Sequence, residues 1–451
     1  MKILLVLHQF FPEFSAGTEV LTYGVARELM RQGHDVCIFT GFPGKKELPD
    51  EDRFDAYSFD EIQIYRFHHA YAPMGGQTTL LSLDYDNRLA AHYFAKVLAH
   101  IKPDVVHFFH MFRLGSGLVD KAAEMGIPSF MTVTDFWAIC PTIQLLLPDS
   151  SVCNGPHGQA GNCIKHLAMI QFPRLATSLM SAIPDAGFDF LARLSIRWPL
   201  VPEKYRREFE AIGARVQTNV SRLNQLQKII VPTSIMRETL LRFNVKAERV
   251  VQLAFGVDFA EVPNRVRSPG KLKIGFIGSL VRHKGCHVLI EAFKDLPEEC
   301  ASLAIYGDEQ GCPEYAKKLR LMANGDRLIQ FRGIFDNREI STVLAGLDVL
   351  VVPSLWPENS PLVILSAQAC RCPVIASDLA GLSETVQHDK NGLLFEAGNK
   401  AALARQLFRV INEASLINRL SAQTVTPKST KDYVGELVQI WTQKNRLRNF
   451  I

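Results

Sequence analysis

Short runs of consecutive apolar residues alternate along the chain with longer segments whose apolar residues recur at helical spacing. The first run is ILLVL (3–7), and the apolar residues from Thr18 to Arg31 mark one side of a helix that ends at Gly33. A strand buried on both faces is apolar without alternation, so such runs predict strands of a parallel sheet. The other predicted strands of the first half are VCIFTG (36–41), DVVHFF (104–109), PSFMTVTD (128–135) and KIIVPTS (228–234).

The second half repeats this order of strands and helices. Its predicted strands are LKIGFIGS (272–279), ASLAIYGD (301–308), LIQFRGIF (328–335), VLVVPS (349–354) and CPVIASD (372–378), and its predicted helices cover 287–296, a segment from Glu314, and 339–348. A chain of 451 residues is also too long for one ordinary core. The pattern therefore predicts an α/β protein of two doubly wound units joined near residues 254–263. A last helix, from about Asp432 to Asn449, could pack on either unit.

The segment from about 140 to 222 departs from this pattern and is predicted to be irregular. It holds Cys140, Cys153 and Cys163, residue types that zinc sites use. The spacing contains no Cys-x-x-Cys pair, so buried free thiols or a conditional disulfide are the alternatives.

Composition narrows the class of protein. The apolar fraction of 47% and charged fraction of 21% are those of a globular protein, and a formal charge of +4 gives no indication of nucleic acid binding. The N-terminus lacks the cleavage site of a signal peptide, and no uncharged apolar run reaches the ~18 residues of a membrane span. Nine cysteines without a secretion signal indicate reduced thiols in a cytoplasm.

Ligands of open parallel sheets bind beyond the carboxyl ends of the strands, and two Gly-containing loops lie there. After the first strand, Gly17 precedes a helix whose backbone N–H groups could meet an anion; a simple turn capped by Thr18 is the alternative. After strand 272–279, the cations Arg282 and Lys284 crowd the turn before another helix, as in a diphosphate site. A solvated basic loop explains the same residues.

The stretch PENSPLV (357–363) places a carboxylate just before a helix. Ser360 can cap that helix and Pro361 suits its first turn. Phosphate could sit on the free N–H groups while Glu358 accepts hydrogen bonds from sugar hydroxyls. Alternatively, Glu358 only favours the positive helix end.

Polar residues also follow two strands of the first half. His107 and His110 close strand 104–109, where an imidazole could act as a polar contact or a base. Thr134 and Asp135 follow the next strand and could line the same cleft. A structural role is the alternative for each.

These residues together resemble the retaining glycosyltransferases of family 4, which have the GT-B fold. The resemblance covers most of the chain. The segments that carry it, in the expected order, are FSAGTEVLTYGVARELMRQGHDV (14–36), IIVPTS (229–234), LAFGVD (253–258), FIGSLVRHKG (276–285), VVPSLWPENSPLVIL (351–365), PVIASDLAGLSETV (373–386) and NGLLF (391–395).

The resemblance implies two Rossmann-like domains facing each other across a cleft. Residues 1–254 would bind the acceptor, residues 255–431 would bind a nucleotide sugar, and the helix in 432–451 could cross back to the first domain. Its implied donor-binding residues are Gly17, Gly278, Ser279, Arg282, Asn359, Ser360, Pro361, Leu362, Val363 and Ser366. Lys284 would pair with the diphosphate and Glu358 with the transferred sugar. The N-terminal histidine of the family falls near 107–110, and His110 is favoured because position 109 is Phe109.

Two positions depart from the family pattern. The usual Gly-Arg of the first donor loop is Gly278-Ser279 here, which leaves open whether Arg282 replaces the missing arginine. The second glutamate of the family, eight residues after the first, is Ser366 here. A serine cannot accept from two ribose hydroxyls as a carboxylate does, and losing one charged hydrogen bond costs about 1.5–3 kcal/mol.

The function expected on this basis is sugar transfer with retention, from a nucleotide sugar to a glycan or lipid-linked glycan, without a metal or other cofactor. Apolar and basic residues mixed in 167–207 could lie on an anionic membrane, as for a cytoplasmic enzyme of cell-surface polysaccharide assembly. Core packing is the alternative for that segment. A degenerate protein that only binds a nucleotide sugar or assists an active transferase is the rival, and an epimerase or phosphorylase of the same fold is a nearer one.

Overall fold

The computed structural model describes residues 1–171, 180, 182–197, 202–259, 270–413 and 415–443. The chain forms two compact units. The N-terminal unit contains Met1–Pro232, Met236–Leu253 and the segment from Val434 onward. The C-terminal unit contains Thr233–Ile235 and Ala254–Tyr433.

The N-terminal unit is built on an eight-stranded sheet in the order β3-β4-β2-β1-β5-β6-β7-β8. Every neighbouring pair is parallel except β3 with β4, which is antiparallel. The strands are β1 (Lys2–Leu7), β2 (Asp35–Pro43), β3 (Phe54–Phe59), β4 (Ile62–His69), β5 (Val105–Phe108), β6 (Ser129–Thr132), β7 (Lys228–Val231) and β8 (Val250–Gln252). The five predicted strands of this half are confirmed, whereas β3, β4 and β8 were not predicted.

Helices cover this sheet and complete the parallel crossovers. They are α1 (Gly17–Arg31), α2 (Leu80–Leu83), α3 (Arg88–Ile101), α4 (Gly117–Glu124), α5 (Gly161–Gln171), α6 (Asp185–Arg197), α7 (Glu203–Leu223) and α8 (Ser234–Arg242). Helix α1 begins at Gly17 with Ala16 as N-cap, so the alternative in which Thr18 caps it is wrong.

The prediction of an irregular segment over 140–222 is wrong for most of its described part, because α5, α6 and α7 lie there. Helix α7 buries Ile212, Val220 and Leu223, which recur at helical spacing. The Cys and Pro residues scattered through the segment obscured the helical spacing of these apolar residues in the sequence. Residues 172–179, 181 and 198–201 of the segment lie outside the described residues.

The C-terminal unit is built on a six-stranded parallel sheet in the order β11-β10-β9-β12-β13-β14. Its strands are β9 (Leu272–Ile277), β10 (Ala301–Tyr306), β11 (Ile329–Gly333), β12 (Val349–Val352), β13 (Val374–Ser377) and β14 (Gly392–Phe395). Its helices are α9 (Cys286–Lys294), α10 (Pro313–Ala323), α11 (Ile340–Ala345), α12 (Leu362–Ala369), α13 (Lys400–Asn412) and α14 (Leu416–Ala422). Short 3₁₀ turns cover Asp50–Asp52, Ala247–Arg249, Arg282–Lys284 and Asn337–Glu339.

Burial explains why the apolar runs become strands. Residues 3–7 of β1 are fully buried, and so is the equivalent central strand β12 apart from a small part of Val352. Burying such side chains stabilises each unit by about 25 cal/mol per Å² of apolar surface. Two α/β units with parallel sheets are thus confirmed.

The last described helix, α15 (Thr430–Thr442), contributes to both units. Tyr433 packs edge-on against Phe255 in the C-terminal unit. Trp441 belongs to the N-terminal unit, where its indole N–H donates to His107 Nδ1 at 3.1 Å. Residues 444–451, and 260–269 near the predicted joint, lie outside the described residues.

Candidate active site

The C-terminal unit contains a buried ion pair between Lys284 and Glu358. Lys284 Nζ lies 2.7 Å from both Oε1 and Oε2 of Glu358, and the Ser354 hydroxyl also donates to Oε1. Glu358 is only 4% exposed, whereas the side chain of Lys284 is 25% exposed. A buried charge is tolerated when it is paired and hydrogen-bonded, as this carboxylate is.

Adjacent strands position the two halves of this pair. Lys284 ends the turn after β9, and Glu358 lies in the loop after β12, which is the neighbour of β9 in the sheet. The Leu355 N–H donates to the His283 carbonyl at 2.8 Å and joins the two loops. Gly285 has φ +72°, and a Cβ there would lie 1.8 Å from the Pro353 carbonyl oxygen. Only glycine therefore allows this approach.

An aromatic side chain covers the pair. The Trp356 ring lies 5.5 Å from Lys284 Nζ and packs edge-on against the His283 ring. Burial, assisted by the nearby charge of Lys284, lowers the pKa of His283 to about 4. Near neutral pH this imidazole is uncharged, so Lys284 supplies the positive charge here.

The loop after Glu358 leads to the first N–H groups of a helix. Helix α12 begins at Leu362, and the N–H groups of Leu362 and Val363 donate to none of the described residues. Asn359 Oδ1 accepts from the Thr233 hydroxyl at 2.9 Å, which fixes the loop. Free amides at a helix N-terminus are suited to phosphate.

The prediction that Ser360 caps α12 is wrong. The N-cap position is Pro361, and no side-chain oxygen caps the helix. Ser360 instead has φ +56°, in the left-handed region, and is buried. This left-handed conformation turns the chain immediately before the helix starts.

The backbone of Glu358 is supported from behind by the loop after β13. Gly381 has φ +88°, and a Cβ at this position would lie 1.8 Å from the Glu358 carbonyl oxygen. In the same loop, the Glu384 carboxylate accepts from the N–H groups of Ser234 and Ile235 at 2.8 and 3.2 Å. The sequence showed this loop only as part of the family resemblance and did not assign either residue a role.

The other predicted donor-binding residues lie around this group. Ser279 and Arg282 are exposed, and the Gly278 N–H donates to the Tyr306 carbonyl. Arg282 forms no ion pair with a described residue; it lies near His287, where its charge adds to the burial that lowers the pKa of His287 to about 4. Ser366 is half-buried on α12.

His107, in the N-terminal unit, lies in the core. It is fully buried; its Nε2 lies 2.9 Å from the Thr132 hydroxyl and its Nδ1 accepts from Trp441. Burial lowers its pKa to about 3. The ring joins α15 to the sheet, so the structure does not place it where an acceptor could contact it.

His110 and Asp135, both proposed from their strand-end positions, are brought together. His110 Nε2 lies 2.8 Å from Asp135 Oδ2, and Asp135 Oδ1 accepts from the Trp137 N–H. The Phe112 N–H donates to His110 Nδ1 at 3.1 Å. Thr134 is half-buried and its hydroxyl donates to the Phe109 carbonyl. Both nitrogens of His110 are therefore engaged within the unit.

Sequence reasoning missed two ionisable residues beside His110. His8 follows β1, and its ring centroid lies 4.2 Å from that of His110. Glu19, in the first turn of α1, lies with Oε1 3.8 Å from His8 Nε2. Glu19 falls in the segment 14–36 that carries part of the family resemblance, whereas His8 precedes it, and its position after a strand was the only available signal. Gly17 leaves open space, with no described atom within 4 Å of a Cβ built there.

The structure describes all three cysteine candidates, Cys140, Cys153 and Cys163. Among the described residues no three His, Cys, Asp or Glu side chains are grouped as metal ligands would be. Cys140 and Cys163 are buried, and burial raises the pKa of the Cys163 thiol. Cys153 Sγ accepts from the Gly155 N–H at 3.3 Å, which is a local turn contact.

Two protein-family models match the chain. The model of glycosyltransferase family 4 matches residues 15–151, and the model of glycosyl transferases group 1 matches residues 271–413. The chain belongs to glycosyltransferase family 4. The second match contains Lys284, Glu358 and the start of α12, so the ion pair lies within the part of the chain that matches the model of glycosyl transferases group 1.

Two curated relatives illustrate the range of similarity. The amylovoran biosynthesis glycosyltransferase AmsK of Erwinia amylovora is 27% identical over 420 residues, 89% of each chain. The D-inositol 3-phosphate glycosyltransferase of Pseudarthrobacter chlorophenolicus is 31% identical over 216 residues, which are 45% of this chain and 49% of that protein. This family 4 chain spans about half the length, or less, of several curated relatives that it matches.

A solved structure shows the same fold. HepE of Anabaena, crystallised with UDP-glucose, aligns over 100% of both chains with a TM-score of 0.60 and 15% sequence identity. At this identity the likeness establishes the GT-B type of fold and nothing about the ligands of the present family 4 protein.

Proposed function

We propose that the protein transfers a sugar from a nucleotide sugar to a glycan or lipid-linked glycan, with retention of the anomeric configuration. The observation that carries the proposal is the paired Lys284 and Glu358 beside the free amides of Leu362 and Val363. A cation, a carboxylate and free helix amides are the groups that a sugar diphosphate needs.

Donor binding would exchange the partners of the ion pair. The diphosphate would take Lys284 and the two free amides, because each carries positive charge. Glu358, released from Lys284 but still held by Ser354, would accept hydrogen bonds from hydroxyls of the sugar. The resemblance to family 4 supports this assignment at both positions.

The proposed transfer breaks the bond between the anomeric carbon and the diphosphate oxygen, and the bonding electrons leave with the diphosphate. The acceptor oxygen then bonds to the same face of the anomeric carbon, and the acceptor proton passes to an oxygen of the departing diphosphate. Lys284 would stabilise the negative charge on that group, which is commonly the largest contribution to such catalysis.

No cofactor beyond the co-substrate enters this proposal, since Lys284 and backbone amides supply the charge that the diphosphate requires. Transfer that persists in excess chelator would support this assignment. Restoration of lost activity by a divalent ion would refute it.

UDP-sugars are the first donors to test, because HepE was crystallised with UDP-glucose. The acceptor proposed is a cell-surface polysaccharide or its lipid-linked precursor. The biosynthetic role named for AmsK, which aligns over 89% of the chain, supports this choice.

We place the proposed reaction in the cytoplasm at the inner face of the membrane, in peripheral contact with anionic lipid. None of the described helices is long and apolar enough to span a bilayer. Helix α6 exposes Phe190 (62%) and Leu191 (50%), and Arg193 is exposed beside them. Apolar and basic residues on one exposed helix favour an anionic interface. Co-sedimentation with phosphatidylglycerol vesicles, but not phosphatidylcholine vesicles, would support the proposal.

The deciding experiment is calorimetric titration with UDP-, GDP-, ADP- and TDP-sugars. We expect micromolar binding of one donor, at least tenfold weaker binding in Glu358→Ala, and unchanged binding in Glu291→Ala, which alters an exposed carboxylate of the same unit. Binding with no transfer to any acceptor would favour the rival, a nucleotide-sugar binder. No binding in any protein would refute the proposed function.

A further inference from the structure

Five ionisable side chains meet at the carboxyl edge of the N-terminal sheet. His8 follows β1, His69 ends β4, His110 follows β5, and Asp135 follows β6. Glu19 faces them from the first turn of α1. These strands are close neighbours in the sheet, so residues separated by more than a hundred positions share one small region.

His110 has no ring nitrogen left for a ligand. Its Nδ1 accepts from the Phe112 N–H, so its Nε2 carries the proton and donates to Asp135. It is also only 2% exposed. Binding an acceptor through this ring would require breaking one of these bonds.

His8 differs from His110 in both respects. Its side chain is 18% exposed, and neither of its ring nitrogens makes a hydrogen bond to a described residue. Its Nδ1 is buried, so Nε2 is the nitrogen that a ligand can reach. Burial and the neighbouring His110 and His69 lower the pKa of His8 well below its ordinary value, so the ring is neutral and can accept a hydrogen bond.

Glu19 is an unusual partner for such a ring. It is 1% exposed, and neither carboxylate oxygen accepts a hydrogen bond of standard geometry from a described residue. Burial raises its pKa to about 7, although its own backbone N–H, the Gln9 side chain and His110 act in the opposite direction. A buried carboxyl without a firm partner costs folding free energy, and such groups cluster at functional sites.

We propose that His8 is the imidazole that contacts the acceptor hydroxyl, and that Glu19 is the residue that positions it and balances its charge. The proposal rests on the glycosyl transfer proposed above and identifies the residue on the acceptor side. It replaces His110, which the family resemblance favoured.

The chemistry follows from the accessible nitrogen. The acceptor hydroxyl donates a hydrogen bond to His8 Nε2, which directs an oxygen lone pair toward the anomeric carbon. Partial positive charge then builds on the imidazole, and the ionised carboxylate of Glu19, 3.8 Å away, stabilises it. As the acceptor oxygen bonds to the anomeric carbon, its single proton turns from His8 Nε2 to an oxygen of the departing diphosphate, so His8 ends the reaction neutral.

This arrangement gives a pH dependence with a definite sign. Glu19 loses its charge as pH falls through about 7, so transfer declines on the acid side. The other groups facing the pair are His110 with Asp135, and His69. Burial lowers the pKa of His69 to about 3, so it does not titrate in this range.

The test measures hydrolysis of the bound donor, UDP-glucose first, because water then takes the place of the acceptor. His8→Gln should lower kcat at least tenfold while the Kd for the donor changes less than twofold. Glu19→Gln should abolish the acid limb near pH 7, and Glu19→Asp should retain it. Glu28→Gln is the matched control, since Glu28 is a buried carboxylate on the same helix that pairs with Arg31 and Gln32. Wild-type kcat in His8→Gln would overturn the proposal.

A measurement without activity separates this proposal from the proposed function. The ring nitrogen resonances of His8 should shift with a midpoint near pH 7 in wild type and Glu28→Gln, and not in Glu19→Gln. If no donor binds, the proposed function fails while this titration still reports on the pair. If the resonances of His8 are indifferent to Glu19, the pairing is refuted whatever the protein catalyses.

Discussion

Replacing Lys284 with methionine should destabilise the C-terminal unit more than replacing its partner does. Lys284→Met keeps the side-chain stem against Trp356 and leaves Glu358, 4% exposed, with Ser354 as its remaining donor. Glu358→Gln leaves Lys284, which is 25% exposed and can turn toward water. The two losses of stability differ because Lys284→Met leaves a buried carboxylate without its cation, whereas Glu358→Gln leaves a cation that can reach water.

The magnitude can be worked from the geometry. Two charges 2.7 Å apart attract by about 6 kcal/mol at an effective dielectric constant of ~20. Desolvation of both groups offsets most of this, and the exposure of Lys284 reduces it further. We expect a loss of about 2 kcal/mol for Lys284→Met and about 1 kcal/mol for Glu358→Gln. The double variant should be more stable than Lys284→Met, because it removes the stranded carboxylate.

Differential scanning calorimetry measures these losses, because it resolves transitions when two units unfold separately. A loss of about 2 kcal/mol lowers Tm by about 4–8 °C for a unit of this size. Lys294→Met, an exposed lysine of the same unit, should change Tm little. A double variant less stable than Lys284→Met, or a Lys284→Met protein as stable as wild type, would refute the reasoning.

Three further predictions use other parts of the structure. Gly381→Ala should lower Tm and weaken donor binding at least tenfold, because its Cβ would lie 1.8 Å from the Glu358 carbonyl oxygen. The control is Gly325→Ala, which has φ +70° and open space around its Cβ and should therefore cost only the backbone strain. Equal effects of the two substitutions would contradict this prediction. Ser366→Glu should bind the donor about tenfold more tightly by calorimetry, since a carboxylate accepts from two ribose hydroxyls, and unchanged affinity would remove Ser366 from the ribose site. The folded pKa of His107 is about 3 against 6.5 unfolded, so the unfolded chain binds the extra proton and stability should fall as pH drops from about 6.5 toward 3. Trp441 fluorescence should follow this acid transition, and a pH-independent Tm over that range would contradict it.

The parts of the fold that follow from local pattern were predictable. Strands β1, β5 and β12 are short runs, apolar apart from His107, and burial on both faces explains why none of them alternates. Strands β3 and β4 form the edge of their sheet and pair antiparallel, and their sequence mixes Asp, Gln, Arg and His with aromatic residues. A one-sided edge carries a weaker apolar signal, so the runs that identified the central strands could not identify these.

The charged residues of the donor site were predictable from the sequence, whereas the residues that position them were not. The family resemblance placed Lys284 and Glu358 at matching motif positions, and the structure brings them within 2.7 Å. Gly381 contacts the Glu358 backbone from the loop of another strand, and Ser354 donates to the Glu358 carboxylate from four residues earlier in the same loop. A motif names the residues that meet a ligand, whereas the residues that hold them depend on the packing of loops from separate strands.

In the N-terminal unit, a position at a strand end does not by itself identify the functional histidine. The rule that ligands gather at the carboxyl ends of parallel strands selects His8, His107 and His110 alike, since each lies at or just after a strand. Only the hydrogen bonds of the three histidines in the structure distinguish them. His107 joins a helix to the sheet, His110 is held by Asp135 and Phe112, and His8 keeps an accessible nitrogen. Because nearby rings compete for the same partners, the imidazole left without a hydrogen-bond partner among the described residues is the one whose chemistry remains available to a substrate.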